Sequence, residues 1–186
     1  MRVTIPREDS TARLDMYRPA ETDLPDLFGI FSDPRVWTHF PTLRHTEPDQ
    51  TAATIERWMR DWQVDGLGVW VARDSSSRRV IGYGGCSSMG GLAWNLGYRL
   101  APEAQGRGLA TELARRAMER AGEAVPERPI IAYLLEHNRA SAAVAGKLGM
   151  TLAHRAPDAG NPDPAAIRLV YSDRPLTADH LTAALR

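Results

Sequence analysis

The sequence predicts a mixed α/β domain with a mostly antiparallel sheet flanked by helices. Three observations carry that reading. Period-two and helical spacings follow one another in the order β-α-α-β-β-β-α-β-α-β-β. The middle strands are joined by short turns, DSSSRR at 74–79 and Met89-Gly90-Gly91, and so form an antiparallel meander. The run Pro129–Leu135, PIIAYLL, is nearly all apolar, as in a strand covered on both faces.

Taken in order, residues 1–10 are polar and predict a flexible tail, which leaves 11–186 as a single domain. Arg13–Arg18 alternates with period two and predicts a strand with one buried face. Leu24, Leu27, Phe28 and Phe31 lie at helical spacing, and Asp33-Pro34 ends that helix because a residue before proline avoids the α region. Residues 34–45, PRVWTHFPTLRH, form a loop rich in aromatic and basic groups. Thr46-Glu47-Pro48-Asp49 predicts the next helix start, with Thr46 as cap and Asp49 at the capping-box position. Ile55, Trp58, Met59 and Trp62 make its apolar stripe. Strands follow at 68–72, 80–86 and 92–100, the second lightened by Gly82, Gly84 and Gly85, which mark bulges or close backbone approach. After the long helix and the Pro126–Pro129 break come the apolar strand and a short helix over 139–148. Asn138 is its expected N-cap and Gly149 its C-cap. Strands at 151–156 and 166–172 and a terminal helix within 177–186 complete the prediction.

Composition sets bounds. The chain has 186 residues, enough for one domain with a real core, and its 43% apolar and 25% charged residues are ordinary for a soluble globular protein. A formal net charge of zero argues against a dedicated nucleic-acid surface. The single cysteine, Cys86, excludes an internal disulfide and a cysteine-rich zinc site, and no metal site is expected. No apolar run approaches a membrane span, and MRVTIPREDS lacks a signal peptide's apolar stretch, so no membrane partner and a cytoplasmic location are expected.

The stretch with chemical content is Leu100–Ala121. Gln105-Gly106-Arg107-Gly108-Leu109-Ala110 stands where a loop becomes a helix, and Leu109, Leu113, Ala117 and Ala121 repeat every fourth residue beyond it. The first amides of a helix have no carbonyl partner and carry partial positive charge. Paired glycines let a ligand approach the backbone, so the segment can cradle a phosphate, with Arg107 as an added cation. A tight turn uses a glycine pair too, and on these residues alone both readings stand. The phosphate motifs G-x-x-x-x-G-K-S/T and G-x-G-x-x-G do not occur.

Gln105-x-x-Gly108-x-Ala110 resembles the Q/R-x-x-G-x-G/A signature of the GNAT superfamily of acyl-CoA N-acyltransferases. Gly97-Tyr98-Arg99-Leu100-Ala101-Pro102 resembles the lead-in of its RimJ/RimL-type branch. Asn138-x-x-Ser141 with Lys147-Leu148-Gly149-Met150, and Asp33-Pro34-Arg35-Val36, resemble two further segments of that branch. The resemblance spans roughly residues 12–175 and implies acetyl-CoA as acetyl donor. It implies that the backbone of Tyr98, Arg99 and Leu100 pairs with the pantetheine arm, and that an amide near Leu100 polarises the thioester carbonyl. It also places the pyrophosphate on the amides of Gln105, Gly106, Arg107, Gly108, Leu109, Ala110 and Thr111, and Asn138 against the cofactor. The loop at 34–45 with Trp37 and Phe40, the helix bearing Trp58, and Asn95 would shape the acceptor site. The loop reads equally as a packed connection, and the tryptophans of the helix as core.

The reaction implied is direct attack of an amine on the thioester, which needs a neutral amine, a stabilised oxyanion and a proton for the thiolate. Ser141 stands at the position of the proton donor, and is also a first-turn serine able to bond the backbone. The tyrosine that many relatives carry seven residues after the asparagine is here Ala145, and Asn95 and Tyr133 stand where relatives place acidic residues. Glu103, Glu136 and His137 remain as candidate bases. A weak base suits an α-amine, whose pKa is roughly 8 against about 10.4 for lysine. The expected acceptor is therefore a peptide or protein N-terminus. The alternatives are a small-molecule amine and a non-catalytic acyl-CoA-binding module. The resemblance also allows a homodimer.

Overall fold

The computed structural model describes residues 6–159 and 161–185. Its strands are β1 Arg7–Ser10, β2 Leu14–Tyr17, β3 Val69–Asp74, β4 Val80–Met89, β5 Ala93–Leu100, β6 Ile130–Leu135, β7 Thr151–Pro157 and β8 Ile167–Ser172. The helices are α1 Leu24–Phe31, α2 Pro48–Asp65, α3 Leu109–Ala124, α4 Arg139–Lys147 and α5 Ala178–Leu185. One sheet runs β1-β2-β3-β4-β5-β6-β8-β7, antiparallel at every junction except the parallel β5–β6 pair.

The expected α/β order is present, with one strand added. Residues 7–10, read as part of a loose tail, form edge strand β1. Polar side chains on both faces gave that strand no apolar period to read. What holds it is pairing to β2, a 2.9 Å ion pair from Arg116 to Asp9 and another from Arg7 to Asp15 at 2.9 Å. The start of α2 moves one residue from the expected cap. Glu47 is the N-cap, and Gln50 Oε1 accepts from the backbone N–H groups of Thr46 (2.7 Å) and Glu47 (3.1 Å).

The two faces of the sheet bury different partners. On one, Leu109, Leu113, Ala114, Ala117 and Ala121 of α3 pack on Met16, Trp70, Trp94 and Leu96. The alanines bring the helix close to the sheet, and Gly84 lets it approach. A Cβ there would stand 2.8 Å from Leu113 Cδ2. On the other face, Leu27 and Phe31 of α1 with Ile55 and Trp58 of α2 cover Val69 and Val71. Each fully buried side chain of this kind contributes about 1.5–3 kcal/mol.

The parallel junction makes the site. β5 and β6 pair only at Trp94↔Ile130 and Asn95↔Ile131, and then diverge. Trp94 N–H bonds Pro129 O on the β6 side, while Ala101 N–H bonds Ile81 O on the β4 side. Backbone groups alternate sides along a strand. Tyr98 and Leu100 therefore present theirs to the open side, and Arg99 turns its own towards β4, opposite Tyr83.

Candidate active site

The loop before α3 has the local geometry that its glycines require. Gly106 and Gly108 have φ of +72° and +78°, and Gly108 is the N-cap. Among the described residues, no acceptor takes the backbone N–H groups of residues 106–111. Gln105 differs from the expected pattern. Its N–H bonds Pro102 O (3.2 Å) and its Nε2 donates to Leu100 O (3.0 Å), so it ties the loop to the end of β5. Arg13 clamps the other flank, with Nη1 donating to Arg107 O (2.9 Å) and Nε to Glu112 (2.7 Å). Burial works against the Glu112 carboxylate, but hydrogen bonds from Thr11 and Arg13 outweigh it and hold its pKa below the usual range. Beside this clamp lies an open cleft of about 350 Å³, lined by Thr11, Gly108, Thr111 and Arg115.

Across the gap, Asn138 caps α4 as expected, its Oδ1 accepting from Ser141 N–H (3.1 Å). Tyr98 spans the divergence, its hydroxyl 3.4 Å from Ser141 O, and burial pushes that phenol up to about 12, so it stays protonated. The Ser141 side chain also lies within hydrogen-bonding reach of the Tyr98 hydroxyl, which works against the effect of burial on that phenol. Gly97 opens the opposite face of β5, since a Cβ there would meet nothing within 4 Å.

The acceptor side departs furthest from expectation. Trp58 and Trp37 are 5% and 4% exposed and belong to the α1–α2 core, so neither offers a free ring to a substrate. Trp58 packs on Tyr83 at 4.8 Å between ring centroids. Phe40 does line a cavity of about 220 Å³, with His39, Leu135, His137 and Asn161. Asn95 is half-buried and pairs with Ser87 across the β4–β5 ladder.

Neither predicted carboxylate is free. Glu103 is highly exposed and sits 3.1 Å from Arg35. Glu136 is bonded by Arg155 at 2.8 Å, which holds its carboxyl below the usual range. His137 is better placed. Its Nε2 lies 2.8 Å from His39 O. A carbonyl can only accept, so Nε2 carries the proton and Nδ1 keeps the lone pair.

Sequence reasoning gave Arg99 only a backbone role on the cofactor, which its pairing towards β4 removes, and did not single out His39 within the 34–45 loop. The Arg99 side chain lies on the face away from α3, its Cζ 3.5 Å from the Trp37 ring centroid and its Nη1 3.3 Å from Val36 O. His39 stacks beside Trp37, and burial, then the charges of Arg99 and His137, push its pKa down to about 4. No local pattern marks the side-chain role of either residue, because only the crossing of the 34–43 segment over the sheet brings them together.

A family model described as "Acetyltransferase (GNAT) domain" matches residues 13–151. The chain belongs to the GNAT acetyltransferase family. It is 27% identical over 144 residues to the uncharacterized protein YkkB of Bacillus subtilis (strain 168), covering 75% of this chain and 83% of YkkB. An acetyltransferase from Agrobacterium tumefaciens str. C58 superposes with a TM-score of 0.71 at 29% identity, over 94% of this chain and 97% of that one. RimL, a ribosomal L7/L12 alpha-N-protein acetyltransferase solved in complex with coenzyme A, shares the fold with a TM-score of 0.76 at 18% identity, over 91% and 98% of the two chains.

The acetyl donor of a GNAT acetyltransferase is acetyl-CoA, and this site fits it. Unpaired amides at 106–111 suit a pyrophosphate, and the open backbone edge of β5 at Tyr98 and Leu100 suits an extended arm with amides of its own.

Proposed function

We propose that this GNAT acetyltransferase acetylates the α-amino group of a peptide or protein N-terminus. The observation that carries the reading is the lack of a strong base at the acceptor end. Asn95 and Tyr133 are not acids, and Glu103 and Glu136 are each engaged by an arginine. An α-amine, with a pKa of roughly 8, is already partly neutral near pH 7, whereas a lysine at about 10.4 is not. The fold shared with RimL, named for α-N-protein acetylation, supports the same reading.

In this reading acetyl-CoA supplies an acyl group activated as a thioester. The amides of 106–111 bind its pyrophosphate, and Tyr98 and Leu100 hold the arm along β5. The Leu100 N–H faces the carbonyl oxygen and stabilises negative charge there. His137 Nδ1 accepts the proton from the attacking amine, directly or through a water. The Ser141 hydroxyl, ordered beside the Asn138 cap, supplies the proton for the thiolate. A cytoplasmic location suits an acceptor presented on newly made protein.

The test is free-thiol release from acetyl-CoA with peptides of varied N-terminus, the same peptides blocked at the N-terminus but carrying lysine, and small amines. Release confined to free α-amines supports the proposal. Release only with blocked lysine peptides or small amines overturns it in favour of those acceptors. Tight acetyl-CoA binding without release across the panel would favour a binding module.

A further inference from the structure

Arg99 is a half-buried cation without a counter-charge among the described residues. Two other arginines near this end of the molecule are paired: Arg35 with Asp33 (2.6 Å) and Glu103 (3.1 Å), Arg155 with Glu136 (2.8 Å). Among the described residues, no carboxylate lies within ion-pair distance of Arg99. Its neighbours are the Trp37 face, the Val36 carbonyl and the Tyr83 hydroxyl. Burial pushes Tyr83 up to about 12, so it remains a neutral phenol and supplies no negative charge. The surrounding groups add positive charge or none: His39 and His45, whose pKa values burial first pushes down, and Arg57. Trp37 Nε1 is also buried without an acceptor among the described residues. The neighbourhood is rich in donors and short of acceptors. A desolvated guanidinium is costly unless something of opposite charge meets it. Its contact with the Trp37 ring offsets only part of that cost.

Its position says what that partner is. Arg99 stands between Tyr98 and Leu100, the residues that border the opening between β5 and β6, and on the face away from α3. The 34–43 segment crosses the mouth of that opening, bonded to Arg99 through Val36 O and to His137 through His39 O. Stacking on Trp37 uses the flat face of the guanidinium, and one Nη1 hydrogen goes to Val36. The Tyr83 hydroxyl accepts from another N–H, and of the five N–H donors of the guanidinium those left over can meet a carboxylate.

We propose that Arg99 is a specificity-determining residue that receives a carboxylate of the acetyl acceptor, set about one side chain's reach from the amine that reacts. This rests on the transferase reading above. The carboxylate has two possible sources: an acidic residue beside the N-terminus of a peptide, or the α-carboxylate of a free amino acid.

The test uses isosteric pairs with saturating acetyl-CoA and free-thiol release as readout. One pair is a C-terminally amidated peptide with glutamate at its second position and its glutamine twin. The other is alanine and alaninamide. We expect the carboxylate member of one pair to have at least about ten-fold higher kcat/KM, expressed mainly in KM, as a charge-assisted bidentate contact implies. The pair that responds identifies the source. Arg99→Gln is expected to reduce that ratio to about two or less, and Arg99→Lys to keep part of it. Equal kcat/KM within both pairs, or a ratio unchanged in folded Arg99→Gln, overturns the proposal.

A second measurement needs neither a variant nor turnover. Calorimetric binding of the N-acetylated glutamate peptide, its glutamine twin, N-acetylalanine and N-acetylalaninamide to the wild-type CoA complex should favour the carboxylate member of one pair about ten-fold. Equal affinities within both pairs overturn the carboxylate site. Selective binding without any turnover would instead sink the transferase reading while leaving this site in place.

Discussion

The donor and acceptor halves of this site are built from different materials. The donor half is backbone: two glycines of positive φ, the amides of 106–111, and one edge of β5. The acceptor half is side chains from distant segments: Trp37 and His39 from the crossing loop, Arg99 from β5, and His137 after β6. Backbone geometry tolerates wide change in neighbouring side chains, so one cradle serves many acceptors. A side-chain cluster is tuned by each substitution, so selectivity resides there. The comparison predicts that donor-side changes act through acetyl-CoA affinity and acceptor-side changes through turnover, KM and pH response.

The largest expected effect tests the backbone half. Gly108→Trp places a large side chain over the amides and forces a non-glycine residue to φ +78°, at about 1–2 kcal/mol of strain. Acetyl-CoA affinity should fall more than about 100-fold by calorimetry, a loss of roughly 3 kcal/mol, while circular dichroism stays native. Unchanged affinity in the folded variant would mean the cradle lies elsewhere.

Ser141→Ala comes next. Loss of a proton donor should lower kcat by about 10–100-fold with little change in acetyl-CoA affinity, within the range of general acid catalysis. Equal turnover would remove the hydroxyl from the mechanism and leave Ser141 as the residue whose N–H the Asn138 cap engages.

His39 sharpens the comparison through pH. In the unfolded chain its pKa is 6.5, and in the fold it is about 4. As the pH falls from 6.5 towards 4, the unfolded chain takes up a proton that the folded ring refuses. Stability present above 6.5 is therefore lost through that window. With allowance for partial exposure the loss is on the order of 1–2 kcal/mol. Thermal melts of His39→Gln should lose that part of the slope. An identical slope in the variant would mean that the ring is protonated in the fold as readily as out of it.

The smallest effect belongs to Glu136→Gln. An exposed carboxylate already committed to Arg155 should change kcat/KM less than about three-fold, since surface ion pairs of this kind contribute little. A loss of 100-fold would return Glu136 to the role of base and displace His137.

Legibility in the sequence follows the same division. The α3 stripe was readable because Leu109, Leu113, Ala117 and Ala121 repeat locally, and all are buried as expected. The Asn138 cap was readable for the same reason, its partner Ser141 being three residues away. Strand β1 was not, because it is held by pairing and by ion pairs to residues as far away as Arg116 rather than by an apolar face. The tryptophans of α2 and of the crossing loop could be read as core or as substrate wall, and packing of Trp37 and Trp58 against Phe31, and of Trp62 against Trp70, placed them in the core.

What the sequence determined by itself was whatever depends on conformations within a few residues. Gly106 and Gly108 can take the left-handed backbone, a helix start leaves its first amides unpaired, and the order of periods sets the α/β class. What the tertiary structure decided was which side chains share a space. Arg99 reads in the sequence as part of a strand flanking the cradle. Its backbone turns to β4, its guanidinium lies on Trp37, and the crossing loop brings His39 and His137 to the same opening. Strand alternation fixes the face a side chain takes once pairing is known, but the pairing itself joins residues far apart in the chain. The cradle was therefore written locally, and the acceptor pocket came into being only when the sheet closed beneath the loop.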